Sequence, residues 1–509
     1  MDQETRTRMW GATTVAMLAF TYAGYYTCRA FLSVYVEPIG EEIGGGGPEA
    51  EAVVGAISSI GTAVYAIGKL LSGSITDLRS PRVVLLVGML GSSVATMIFG
   101  MSSGFALAVF AWSLSRLLQS AGWGATMKIA SNWIHQQDRG RLVGYITLSY
   151  LMGDALVRVA IGLLIQVGLE WREVVMGCAW ALAGIAVVTA ILVRNRPSDR
   201  GLPELPADAS EASAFRDRAT ADEGASRGPS VPRPHRVEQA RAEMQSGMDG
   251  GAEAGAGEER AVVGGDHAEA DADADASRAR PADGAGSIIS GPAFILIRGL
   301  KLAGEVHAQL LLTPGFYLIC IMSFLLTTTR ETLGNWLPMY LKTTQEFSLA
   351  EAAFGSAIFP AAGAISSLIV GHATDWTFRG ERGGVMVVSL LGAGAALAAM
   401  AMMPESWPSA WQLAAIGVVG LLVLGPYALL SGTVSMDLGG RSGVATTANV
   451  IDAVGYAGGV VAGTGVALVV INTAWRTAIN GLAVMVLFAA IIAALYWWGH
   501  ERRGIADNT

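Results

Sequence analysis

Charge is scarce in this chain. Asp, Glu, Lys and Arg make up 15% of its 509 residues, against about 25% in a soluble globular protein. With 52% of residues hydrophobic, that deficit excludes a soluble domain for most of the chain and turns it toward lipid. Cysteine is rarer still. Cys28, Cys178 and Cys320 all fall in apolar segments without metal-ligand spacing, which leaves buried thiols in place of a disulfide framework or a zinc site. The six histidines form no pair at metal spacing within a helix. The sequence also lacks a nucleophile constellation, a Walker loop and a basic nucleic-acid patch, so neither covalent catalysis, a cofactor nor a nucleic-acid partner is expected. The net charge of −8 says little about partners, because much of the acid lies in one hydrophilic insert. The first apolar segment starts near Met9 and outruns a signal peptide, with no small-residue cleavage site after it; a retained transmembrane helix is expected.

Long apolar runs are what the chain has in abundance. Stretches of about 20 residues mark spanning helices, here at 9–37, 53–76, 83–102, 104–131, 141–168 and 174–194, then at 310–341, 350–373, 384–403, 410–436, 443–471 and 477–498. The predicted fold is an all-α membrane protein with twelve transmembrane helices, six in residues 1–197 and six in residues 301–509. Between them, 198–300 contains "PADASEASAFRDRATADEG" and "HAEADADADASRAR", rich in Ala, Gly, Asp, Glu, Pro and Arg and nearly free of aromatics. Such a segment cannot bury enough apolar surface to fold and reads as a disordered acidic linker. Its end, 291–308, fits an amphipathic helix lying on the membrane.

Lysine and arginine in the short loops set the orientation. One side holds Arg6, Arg8, Arg79, Arg82, Arg139, Arg141, Arg379, Arg382, Arg441, Arg502 and Arg503; the other keeps only Arg172, Lys342 and Arg476. Both termini and the linker are therefore expected in the cytoplasm, with the chain in the cell membrane.

The halves repeat. Arg29 and Arg330 differ by 301, "GSITD" (73–77) and "GHATD" (371–375) by 298, Arg139 and Arg441 by 302, and the "WR" pairs at Trp171 and Trp475 by 304. Four landmarks in one order at nearly one offset indicate two parallel six-helix repeats, the arrangement of the major facilitator superfamily, whose substrate site lies near the midplane between halves.

Arg29 and Arg330 stand inside apolar stretches, and arginine cannot shed its charge. Placing it in hydrocarbon costs at least a few kcal/mol, which points to an anion held within the membrane. Tyr22, Tyr26 and Arg29 fall at i, i+4 and i+7, on one helix face, and Tyr65 and Lys69 at i, i+4. A guanidinium grips phosphate or carboxylate in a fork, and tyrosine hydroxyls can fill the remaining acceptor sites. Asp154 and Arg158, at i, i+4, can neutralise each other. Glu331 follows Arg330 and should point to a different face, while Asp452 has no local partner and could counter an arginine or carry a proton. "VGYAGGVVAGTG" suits close helix packing. In the loops, Asp77 with Arg79 and Arg82, and Asp375 with Arg379 and Arg382, form repeated candidates for conformational latches.

These residues resemble the organophosphate:phosphate antiporter family of the major facilitator superfamily, which includes the glycerol-3-phosphate and hexose-phosphate transporters. "YAGYYTCR" is similar to the family's first-helix pattern Tyr-x-x-Tyr-Tyr-x-x-Arg, so the family's binding arginine falls on Arg29 and its tyrosines on Tyr22 and Tyr26. "YAIGKLLSGSITDLRSPR" matches the second helix and brings in Tyr65 and Lys69. "SAGWGATMKIASNW" brings in Trp123, "RETLGNWLPMYLK" Arg330, and "ATTANVIDAVGYAGG" Tyr456. There are departures. Tyr150 stands where the glycerol-3-phosphate transporter has a histidine, Ala30 follows the first arginine where several members have a basic residue, and Pro360 replaces an acidic residue of one member. The resemblance implies exchange of a phosphate ester for inorganic phosphate by rocking of the two halves, in a monomer with no cofactor. Two alternatives stay open: a sugar-phosphate sensor that does not transport, and a proton-coupled symporter of an organic carboxylate.

Overall fold

The computed structural model describes residues 3–45, 50–134, 139–203, 313–376, 381–404, 406–430 and 434–501. Of the linker 198–300, residues 204–300 lie outside them, as does the interfacial helix expected at 291–308. Each expected span has helical structure. The first is broken: α1 (Gln3–Gly24) runs into a 3₁₀ turn at Tyr25–Cys28, and Arg29 separates that turn from α2 (Ala30–Val34) and α3 (Val36–Gly44). Next come α4 (Ala50–Leu78) and α5 (Pro81–Gly100). The fourth span is split at Ala121 into α6 (Phe105–Ser120) and α7 (Gly122–Trp133). Helices α8 (Arg139–Gln166) and α9 (Trp171–Leu192) complete the first half.

The second half begins with α10 (Pro314–Gln345), followed by α11 (Leu349–Ser356) and α12 (Ile358–Trp376). The break at Ala357 lies three residues before Pro360, whose missing N–H frees the carbonyl one turn back. Then come α13 (Arg382–Met402), α14 (Ser409–Leu429), α15 (Ser435–Val460), a π turn at Val461–Gly465, α16 (Val466–Asn472) and α17 (Trp475–Tyr496). The starts are written in the sequence. Pro314 and Pro81 occupy first-turn positions where no N–H is needed, and Ser348 with Glu351 forms a capping box at α11.

Among the described residues, nine helices are long and apolar enough to cross a membrane. The three spans that fall short are the first, fourth and seventh, interrupted at Arg29 and Ala121 or, in α10, diluted by Thr327–Thr329, Arg330 and Glu331. Large apolar side chains such as Ile67, Leu156, Ile191 and Val388 stay exposed on the outside of the bundle, as lipid-facing residues of a multi-pass membrane protein do. The halves touch through glycine. A Cβ built on Gly463 would lie 2.7 Å from the Gly55 carbonyl oxygen, so α4 and the π turn meet backbone to backbone.

Arg82 and Arg382 open the third helix of each half and tie it to the end of that half's sixth. The Arg82 backbone N–H donates to Asn195 Oδ1 at 3.0 Å, and its guanidinium donates to the Ala190 carbonyl. The Arg382 and Gly383 backbone N–H groups donate to the Glu501 carboxylate at 3.2 and 2.8 Å. Asp77 and Asp375 hold backbone positions in α4 and α12; their side chains lie outside the described residues, and so does Arg379.

Candidate functional site

Arg29 reaches the centre of the bundle because the first span breaks beneath it. Its backbone (φ −121°, ψ −44°) leaves helical geometry. Its Nε donates to Gln119 Oε1, and Gln119 in turn donates to Ser115 Oγ at 3.0 Å. The guanidinium lies 4.9 Å from the Tyr26 ring centroid and 5.0 Å from that of Tyr65, distances at which cation–π attraction operates.

Arg330 sits in the middle of α10. Glu331 does not turn away from it: the two side chains form an ion pair, and both are nearly buried. The long flexible stems let neighbours on a helix meet where hydrocarbon penalises any other arrangement. The Arg330 guanidinium also lies 4.7 Å from the Tyr427 ring and 5.9 Å from that of Tyr456, and among the described residues its Nε has no hydrogen-bond partner.

Between the two arginines is a cavity of about 70 Å³, room for about five water-sized atoms. Tyr26, Arg29, Tyr150, Asp154 and Arg158 line it from the first half, and Arg330, Glu331 and Asn335 from the second. Tyr26 and Tyr150 stack at 5.5 Å. Arg158 bridges the halves as well as pairing with Asp154 at 3.3 Å: it donates to the Gly334 carbonyl at 2.7 Å and to Ser356 Oγ at 3.2 Å.

Lys69 and Asp452 are not among the residues that line this cavity. They form a 2.7 Å ion pair joining α4 to α15, so Asp452 has its partner in the other half. Tyr65 and Tyr456 stand between that pair and the arginines, edge to face at 4.8 Å. Tyr22 packs against Trp123 at 5.2 Å and Tyr150 at 5.9 Å, behind the lining. Tyr22 and Tyr26 both pack on Tyr150, but only Tyr26 is among the residues that line the cavity.

A third arginine, Arg116 on α6, was not singled out from the sequence. It lines the same cavity, is only 5% exposed, and has its guanidinium 4.7 Å from the Tyr65 ring. The rule that drew attention to Arg29 applies equally to it, but it has no counterpart in the second half to mark it.

Further ties gather toward the end of the bundle that carries Glu37. Lys342 pairs with Glu37 across the halves. Ser59 donates to the Val460 carbonyl at 2.6 Å and accepts from the Thr464 backbone N–H at 2.8 Å.

The model of the Major Facilitator Superfamily matches residues 18–463. The chain belongs to this superfamily. Solved members share its fold at low identity. A bacterial homolog of the human lysosomal transporter Spinster has a TM-score of 0.59 at 13% identity, with 96% of both chains covered. The Escherichia coli xylose transporter XylE has a TM-score of 0.57 at 12% identity, covering 96% of this chain and 98% of its own. Among curated relatives, the chain is 24% identical to "Sugar phosphate exchanger 3" of Gallus gallus over 89% of this chain and 82% of that one. It is 20% identical to a "Probable hexose phosphate transport protein" of Chlamydia muridarum (99% and 94%). It is also 20% identical to "Membrane sensor protein UhpC" of Salmonella typhimurium (97% and 92%). These relatives agree with the resemblance to organophosphate:phosphate antiporters carried by the first- and seventh-helix motifs. This member of the superfamily is an integral, multi-pass membrane transporter.

Proposed function

We propose that the protein exchanges an organic phosphate ester for inorganic phosphate, with Arg29 and Arg330 gripping the phosphoryl group from opposite halves. The observation that carries this reading is the shared cavity: Arg29 and Arg330, one from each repeat, line one space between the halves. The names of the relatives supply the substrate class. A phosphoryl oxygen would take the Arg330 donor that Glu331 now occupies, and drawing Arg330 toward Arg29 would pull the halves together. Lys69 reaches the ester once its pair with Asp452 opens, so cargo and inter-half tie compete for one ammonium. In this scheme Asp452 is the charge partner of Lys69, Tyr26 and Tyr150 flank the ester, and Tyr22 and Trp123 hold Tyr150 in place. Tyr65 and Tyr456 orient the cations. Asp77 and Asp375 act as latches at the cytoplasmic end. Both termini face the cytoplasm, the chain works as a monomer in the cell membrane, and no bond is made or broken.

Counterflow from phosphate-loaded proteoliposomes against a panel of phosphate esters tests the proposal. Exchange of at least one ester supports it. Saturable ester binding without flux would instead identify a sensor. Uptake abolished by a protonophore and by Asp452→Asn would identify proton symport.

A further inference from the structure

Four arginines line the cavity, Arg29, Arg116, Arg158 and Arg330, against two carboxylates, Asp154 and Glu331. Each carboxylate is already paired, Asp154 with Arg158 and Glu331 with Arg330. Among the described residues the lining therefore holds two more positive than negative charges, and Arg29 and Arg116, which form no ion pair there, feel only the field of the Glu331 carboxylate that Arg330 holds.

They also converge. Their guanidiniums lie 5.0 and 4.7 Å from one ring, that of Tyr65. Arg29 is tethered by Gln119, one turn beyond Arg116 on the same helix, so α6 presents both a free guanidinium and the amide that aims the other. Arg116 is only 5% exposed, among the described residues its Nε has no hydrogen-bond partner, and its guanidinium also lies 5.9 Å from the Trp112 ring. Two like charges gathered in a low-dielectric cavity repel strongly unless an anion joins them. A ligand that cancels both must carry two negative charges, as a phosphate dianion or a phosphate monoester does.

We infer that Arg116 is a third phosphoryl-binding arginine, which with Arg29 selects dianionic phosphate and phosphate monoesters over monoanions. This rests on the proposed phosphate exchange and names the charge state that the site takes. A residue that merely clamps Tyr65 against Trp112 would affect all ligands alike; a residue that counts charge would not.

The test uses the purified full chain in detergent, with binding of inorganic phosphate, methyl phosphate (a dianion) and dimethyl phosphate (a monoanion) followed by thermal shift. Arg116→Gln and Arg116→Lys are measured beside the wild type. Arg116→Gln is expected to weaken phosphate and methyl phosphate by about 10- to 100-fold, the loss of one charge-assisted hydrogen-bonding group, and dimethyl phosphate far less, so that the preference for the dianion collapses. Arg116→Lys keeps the charge and should retain the preference with a smaller loss of affinity; it carries the test if the glutamine variant does not fold, and wild-type phosphate affinity in it then counts against the assignment. Wild-type phosphate affinity and wild-type preference in Arg116→Gln overturn the inference while leaving phosphate exchange standing. A wild-type protein that neither binds nor exchanges phosphate overturns the proposed function, and the role of Arg116 with it.

Discussion

In the first half of the molecule, Arg29 and Arg116 stand against aromatic rings and a glutamine amide; in the second half, Arg330 stands against Glu331. The sequence landmarks of the halves repeat, and the ties at the starts of their third spans correspond, Arg82 to Asn195 and Arg382 to Glu501. Their charges do not repeat. Among the described residues the first half has two cations in the cavity outside any ion pair, beside the paired Arg158, while the second half's Arg330 is held by Glu331. Such a division suits alternating access. In the proposed exchange the open charge would attract the anion and Arg330 would join only when the cargo displaces Glu331, which would make closure of the halves conditional on binding.

The largest effect that can break this comparison comes from removing each arginine in turn. Arg29→Gln should abolish exchange with little loss of stability, because no buried carboxylate is left behind. Arg330→Gln should also abolish exchange and in addition destabilise the protein by about 3–5 kcal/mol, since it strands Glu331. The double variant Arg330→Gln, Glu331→Gln should recover stability without activity. Thermal unfolding beside phosphate flux checks all three; equal stability losses at Arg29 and Arg330 would erase the asymmetry.

Lys69 and Asp452 offer a second handle, since their pair spans the halves with side chains only 6% and 14% exposed. Either Lys69→Met or Asp452→Asn alone should destabilise by about 3–5 kcal/mol, and the two together by much less than the sum. A double-mutant cycle measured by unfolding resolves this; additive losses would mean that the pair does not couple the halves.

Smaller effects follow. Glu331→Gln leaves Arg330 without its competitor, so phosphate should bind a few-fold tighter while exchange slows, because no carboxylate returns to displace the product. Equilibrium binding and counterflow on the same preparation separate the two. Weakest should be Lys342→Gln. The Glu37–Lys342 pair is about one-third exposed, and such a bridge is worth about 0–1 kcal/mol. Its removal should leave stability nearly intact while raising the reactivity of a cysteine placed at Ser33, in the cavity wall, toward a membrane-impermeant thiol reagent. Unchanged labelling would show that the pair does not hold that end closed.

Much of the fold was legible because apolar run length and the repeat are properties of the chain alone. The twelve spans, Arg29 and Arg330 followed from those two signals. The misses have a common physical origin. Arg116 lacks a repeat partner, so the symmetry that marks Arg29 and Arg330 does not mark it. The reach of the Glu331 side chain overrode the helical spacing that placed it on another face. The Lys69–Asp452 pair joins positions 383 residues apart, which no local periodicity can reveal. The break at Tyr25–Cys28 brings Tyr25 against Gly122, where a Cβ would meet its ring at 2.7 Å, a long-range contact that no local spacing reveals.

The central claim is that guanidinium forks at Arg29 and Arg330, and not positive charge alone, hold the phosphoryl group. Phosphate counterflow through proteoliposomes carrying Arg29→Lys or Arg330→Lys tests it most directly. Lysine keeps the charge and loses the fork, so both variants should exchange no more phosphate than protein-free vesicles. Wild-type exchange in both would contradict the account.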